Sequence, residues 1–397
     1  MTLHRRNAVD LNVAPEASLS SSRRRFLVGA VAAAAAASTG SLRAQGAEVI
    51  RLGQSCGMTG PLGEIGLAIH HGARAGFHAI NAQGGVHGRR IELIGSDDGY
   101  DLARSVANEK AFLRDPDMFA LFSPMGTAMV EALLPLIRNT DMPCFAPLTG
   151  GMVARPADMR NVFNVRASYP EETERLIEHL ATIGIRKIGV AYQNALFGKE
   201  VLHAAIAATK KYGVTLSVQA SVQNDASDAE AAVAAVVAAA PEAVLLGLAG
   251  KPTVAFVKGI RAQRKGLPMY ALSVLGSAAT LSALGGDGYG IAVTQVVPLP
   301  TNPVVPVVRD YLHAWREAGV QLAPSHLGLE GYINARVFVE ALRRAGPKPS
   351  RKAFIEAAWT IKRFDVGGFE VNFEQPGRNA SRFVELTMIS HAGKFIR

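Results

Sequence analysis

The chain has 397 residues, 49% hydrophobic and 19% charged, with a formal net charge of +9. That apolar share is the globular one and excludes a disordered chain. The positive charge is diffuse outside the first 44 residues, with no Lys/Arg run longer than three and none interleaved with aromatics, which argues against nucleic acid as a partner.

The chain opens on an address. Ser22-Arg23-Arg24-Arg25-Phe26-Leu27-Val28 matches the twin-arginine export pattern, and Phe26 to Ala37 follow as a mild apolar run. Spanning a bilayer takes about 20 apolar residues, so this run is too short and too alanine-rich to be a membrane anchor. Cleavage is expected between residues 43 and 47, and no cysteine at the end of the run offers a lipid anchor. Residues 1–44 are read as a twin-arginine signal peptide and the remainder as a periplasmic protein. Without residues 1–44 six Lys/Arg and two Asp/Glu are lost, and the net charge falls from +9 to +5. The residues before Ser20 are either a long basic region or the product of a start codon placed too early.

The remaining chain, about 350 residues, is too long for one ordinary core and predicts two lobes. Val49 to Leu52 reads as a strand, and Ile65, Ile69, Ala73, Gly76 and Ile80 share one helical face, stopped by Gly84-Gly85. Arg90 to Ile94 is the next strand, 101–114 a helix ended at Asp115-Pro116, and Phe119 to Phe122 a buried strand. Thr127 to Arg138 is a helix and Cys144 to Ala146 a strand. The cycle restarts after a break at Asn164 to Pro170. Strands at 188–192, 216–222, 244–248 and 269–272 alternate with helices at 199–211, 226–240 and 253–264. A proline-punctuated loop, Pro298 to Pro306, leads to helices 304–318, 326–345 and 350–362, then to strand-like runs 368–373 and 383–387. This alternation predicts an α/β fold with parallel sheets covered on both faces. Cys56 and Cys144 both lie in strand-like runs. Export permits a bridge between them, but two buried thiols are the preferred reading.

Enzyme signatures are missing. There is no Gly-x-Ser-x-Gly elbow and no His-Glu-x-x-His. Gly247 to Thr253 resembles a phosphate loop, but has two residues between its glycines where four are needed. Gly57 to Gly63 is not a dinucleotide fingerprint. His70-His71 point to different helix faces, and Asp97-Asp98 read as caps or solvated acids. No cofactor or metal is expected. What remains is a set of small polar residues at strand ends: Thr59-Gly60, Ser123 to Thr127, Leu148-Thr149-Gly150, Gln193-Asn194 and Ser273. In open parallel sheets such positions line the ligand crevice, and a helix start there suits a carboxylate. Thr127 either caps its helix or bonds a ligand.

Gly57-Met58-Thr59-Gly60-Pro61, the run Ile80-Asn81-Ala82-Gln83-Gly84-Gly85-Val86-His87-Gly88-Arg89-Arg90-Ile91-Glu92-Leu93, and Asp97-Asp98 resemble the periplasmic leucine/isoleucine/valine-binding family, the type I solute-binding proteins of ABC importers. Val162 to Arg166 looks like that family's entry to its second lobe, and Phe197-Gly198 like its Tyr-Gly pair. The resemblance covers residues 48–397. It implies two Rossmann-like lobes joined by three hinge crossings, with 48–165 and 297–365 in one and 166–296 and 366–397 in the other. It further implies closure on a small solute, docking on an inner-membrane ABC permease, a monomer and no catalysis. By the resemblance, Thr127 holds a ligand carboxylate, assisted by Leu148, Thr149 and Gly150, with Thr59, Met125, Gly126, Phe197, Ala249 and Ser273 also facing the ligand. Two features depart from the family. Ile65, Phe197 and Ala249 stand where tyrosines are frequent, and Ser273 stands where an acid pairs with an α-ammonium. The expected solute is therefore a small or aromatic carboxylate, or an amino acid held differently, with Glu330 in the acid's place. A sensor module presenting a solute to a receptor is the alternative, and a secreted enzyme the third reading.

Overall fold

Two sheets organise residues 49–397, the part of the chain that the computed structural model describes. The proposed signal at 1–44 lies outside the described residues. The first sheet is fed by β1 (Ile50–Cys56), α1 (Gly63–Ala82), β2 (Ile91–Asp97), α2 (Leu102–Arg114), β3 (Met118–Phe122), α3 (Thr127–Ile137), β4 (Cys144–Phe145) and β5 (Val162–Phe163). Its strands are parallel, in the order β2-β1-β3-β4-β5. The second series is α4 (Tyr169–Thr182), β6 (Lys187–Gln193), α5 (Leu196–Tyr212), β7 (Thr215–Val222), α6 (Ala229–Ala239), β8 (Ala243–Gly247), α7 (Lys251–Gln263), β9 (Met269–Ala271), α8 (Ala278–Leu284) and β10 (Ala292–Gln295). After it come α9 (Pro306–Glu317), α10 (His326–Arg344), α11 (Arg351–Trp359), β11 (Phe364–Asp365), β12 (Glu370–Val371), β13 (Glu385–Ile389) and β14 (Phe395–Ile396). The second sheet runs β14-β13-β10-β9-β8-β6-β7, parallel except where β13 and β14 pair antiparallel at one edge.

The motif that carried the resemblance has a visible structural task. Asn81 exchanges two hydrogen bonds with the backbone of Ile91, 2.8 and 2.9 Å, so the end of α1 pins the start of β2. Gly85 makes the intervening turn at φ +74°, where a Cβ would lie 2.0 Å from the Arg89 carbonyl oxygen.

Helices α9 to α11 return to the first sheet. Tyr311, Trp315, Phe338 and Phe354 share one core with Leu52, Phe122 and Phe145. At two points the contact between α1 and α10 is backbone to backbone. A Cβ on Gly72 would sit 1.9 Å from the Gly328 carbonyl oxygen, and one on Gly331 2.2 Å from that of Ile69.

Three differences from the sequence reading stand out. The first is α4, which the alternation did not show. Its start carries a complete capping box, Ser168 with Glu171, but only Leu176, Ile177 and Leu180 mark its buried face strongly. The second is the run 368–373, where only Glu370–Val371 is strand, paired with β11. The third is residues 366–380, expected with the second lobe. Val366, Phe369, Val371, Phe373 and Ala380 are buried in the first core. The chain therefore rejoins the second sheet only at β13. Cys56 and Cys144 are buried free thiols.

Candidate functional site

The strand ends of both sheets meet at one narrow cavity, partly open to solvent. From the first sheet come Leu62 and Ile65 after β1, Tyr100 after β2, Met125, Gly126 and Thr127 after β3, and Leu148 after β4. The other wall is Tyr169 at the start of α4, Phe197 after β6, Ala249 after β8 and Val274 after β9, with Leu327 contributed by α10. The second core of the molecule is continuous across this boundary, joining Leu62, Ile65, Met125 and Leu148 to Tyr169, Phe197, Ala249 and Leu272.

Residues near the strand ends are strained. Tyr100, Ser123 and Ala146 all have positive φ, at 61°, 47° and 52°, and Gly126 has φ +106°. Non-glycine residues in that region are uncommon and gather at sites where the backbone is held for a purpose.

The start of α3 is the polar end of the cavity. Gly126 is its cap and, having no side chain, leaves the first N–H groups without a side-chain acceptor. Thr127 is the first helical residue, so its hydroxyl does not cap. It lies 2.8 Å from the Thr149 hydroxyl, which also accepts from the N–H of Gly151 at 3.0 Å. A Cβ on Gly126 would be 2.9 Å from Cε2 and 3.5 Å from Cζ of Tyr100, which places that ring directly over the helix start. Burial pushes the Tyr100 phenol up, so it stays protonated.

Six of the expected ligand residues line the cavity: Met125, Gly126, Thr127, Leu148, Phe197 and Ala249. Four do not. Thr59 is exposed, and its N–H and hydroxyl bond Asp97 at 3.1 and 2.5 Å. That Thr59 hydrogen bond, with three from backbone N–H groups, holds Asp97 down at about 2. Thr149 stands behind Thr127. Gly150 lies under the Tyr169 ring, where a Cβ would be 2.4 Å from Cδ1.

Ser273 belongs to a buried charge cluster at the crossing between the sheets. Its N–H and hydroxyl bond Glu172 at 2.9 and 3.1 Å, and its hydroxyl accepts from Arg166 at 2.5 Å. Arg166 pairs with Glu172 at 3.2 Å and Glu330 at 3.5 Å, all three side chains at most 5% exposed. Burial opposes the charge on Arg166, but Glu330 and Glu172 outweigh it and hold the guanidinium protonated. Glu330, expected as a replacement acid for a ligand ammonium, already faces Arg166. Arg155 ties the cluster to the cavity loop, donating to the carbonyls of Gly151 at 2.8 Å and Arg166 at 3.1 Å.

The sequence reading missed Tyr100, Tyr169, Val274, Leu62 and Leu327 as lining residues. Tyr100 had a signal in its place just after Asp97-Asp98-Gly99 at a strand end, and Tyr169 in its capping box. Leu327 had none, because its helix reaches the cavity only through tertiary packing. Among the described residues no group of acids, His and Cys is arranged to hold a metal ion.

Two further carboxylates join elements of the two series. Glu200 on α5 accepts from the N–H of Met152 at 2.6 Å, and Glu64 on α1 accepts from the N–H of Ala279 at the start of α8.

The sequence is 22% identical over 354 residues to Leu/Ile/Val-binding protein homolog 7 of Brucella abortus, covering 83% of this chain and 86% of that one. A substrate-binding periplasmic protein from Ralstonia solanacearum has the same fold at a TM-score of 0.80, with 31% identity over 87% of this chain and 99% of its own. A possible leucine/isoleucine/valine-binding protein from Rhodopirellula baltica superposes at a TM-score of 0.82 with 27% identity, over 88% and 97%. The periplasmic binding protein family model matches residues 49–394. With the paired parallel sheets and the cavity at their facing strand ends, the chain belongs to the periplasmic binding protein family, of the leucine/isoleucine/valine-binding type.

Proposed function

We propose that this protein is the solute receptor of an ABC importer, closing two lobes on a small carboxylate or amino acid and delivering it to an inner-membrane permease. The single observation that carries the reading is the uncapped start of α3, with the Thr127 hydroxyl, at the end of an otherwise apolar cavity. Free N–H groups and the helix dipole favour an anion there. One lobe comprises 49–165 and 297 to about 382, the other 166–296 and the last strands. Binding and release, without turnover, are its activity, and it works as a monomer. Export runs by the twin-arginine route, on the strength of Arg23-Arg24-Arg25-Phe26-Leu27.

The test is a thermal-shift and calorimetric screen of carboxylates and amino acids on refolded, ligand-free protein. A solute present at about 100 times its Kd adds roughly 2.7 kcal/mol of stability, which is easily measured. Silence across both classes sinks the reading. Loss of export in cells lacking the twin-arginine translocase checks the route.

A further inference from the structure

The cavity has open N–H donors at one end and no carboxylate to face a cation. Among the described residues no acidic side chain lines it. The acids around it are all committed elsewhere. Asp97 holds the Thr59 loop, and Asp98 bonds Ser55 and the N–H of Tyr100 at 2.8 Å each. Glu200 and Glu64 hold the backbone N–H groups of Met152 and Ala279. Glu172 and Glu330 share Arg166, and Glu172 also takes the hydroxyls of Ser273 and Thr294. A ligand ammonium enclosed here would lose its water and gain no counter-ion, which is strongly unfavourable.

The anionic end is correspondingly well supplied. Besides the open N–H groups of α3 and the Thr127 hydroxyl, the Tyr100 ring is held over the helix start by a left-handed backbone. Its hydroxyl has no hydrogen-bond partner among the described residues. The rest of the wall is apolar, with Tyr169 and Phe197 meeting edge to face at 5.1 Å.

We propose that the solute is an apolar monocarboxylate without an α-ammonium group, an aryl or short alkyl acid, and that Tyr100 donates the phenol hydrogen bond that completes the carboxylate's cradle. This rests on the reading of the cavity as a solute site. It makes Tyr100 a specificity-determining residue that the resemblance to the family did not supply.

Matched pairs test it: leucine against 4-methylpentanoate, and phenylalanine against 3-phenylpropanoate, each titrated calorimetrically into refolded protein, with benzoate as a fifth probe. Within each pair the acid should bind about 100-fold tighter or more, since only the ammonium differs. An amino acid that binds as tightly as its deaminated partner overturns the inference and leaves the solute site standing. No heat and no thermal shift with any of the five at about 1 mM overturns both. Tyr100→Phe should weaken the acids about tenfold while the melting point of the unliganded protein stays put. Unchanged affinity in that variant removes Tyr100 from the cradle.

Discussion

Thr127 and Thr149 share a hydrogen bond between their hydroxyls, 2.8 Å long, at the start of α3. Thr149 also accepts from the N–H of Gly151. With Thr149 donating to Thr127, the Thr127 proton is free to point into the cavity. Thr127→Ala should therefore weaken carboxylate binding about 10- to 100-fold, the worth of a hydrogen bond to a charged group. Thr149→Val should cost about tenfold by releasing Thr127 from its orientation. Calorimetry on both variants checks this; equal affinity to the parent in both would refute it.

Arg166 separates two buried acids that come from different helices, Glu172 on α4 and Glu330 on α10. Arg166→Met leaves those carboxylates facing each other without a cation. Breaking a buried pair in this way costs about 3–5 kcal/mol. Urea unfolding should show the loss as a lowered midpoint with an unchanged slope.

Glu109 on α2 is 2% exposed, and its Oε2 has no hydrogen-bond partner. Burial first, and the nearby Asp98 second, raise its carboxyl from 4.5 to about 8. Folding must then supply a proton at any pH between those values. Stability falls as pH rises from about 4.5 to about 8 and the contribution is flat above. Glu109→Gln removes this slope. It should match the parent near pH 4 and exceed it by roughly 1–3 kcal/mol at pH 8, measured by urea unfolding at several pH values.

Gly72→Ala should be severe although it adds one methyl group. Its Cβ would lie 1.9 Å from the Gly328 carbonyl oxygen, and backbone cannot swing aside as a side chain can. A loss of about 3 kcal/mol or failure to fold is expected. Gly213→Ala, on a surface helix end with open space around it, is the control. There the left-handed φ of 65° alone should cost about 1 kcal/mol.

Much of the fold was legible because parallel strands buried on both faces, such as Ala243–Gly247, read as unbroken apolar runs. Helix α4 escaped notice because its buried positions include two polar residues, Thr173 and Glu172, the latter kept inside by Arg166. The anionic end of the cavity was visible as Thr127 after an apolar strand. The far wall was not, since Leu327 and Val274 are ordinary aliphatic residues whose placement depends on long-range packing. Ser273 shows the same limit from the other side. Its departure from the family's acid was readable, whereas the arginine that fills the space had to be seen.

The glycine-lined crossing of α1 and α10 has a mechanical meaning. The N-terminal turn of α1 carries Ile65, a cavity wall, and α10 carries Leu327, another wall, one turn before Glu330. Where the backbones nest at Gly72 and Gly331, no side chain lies between them to absorb displacement. The walls at Ile65 and Leu327 and the carboxylate that faces Arg166 therefore share one rigid helix pair.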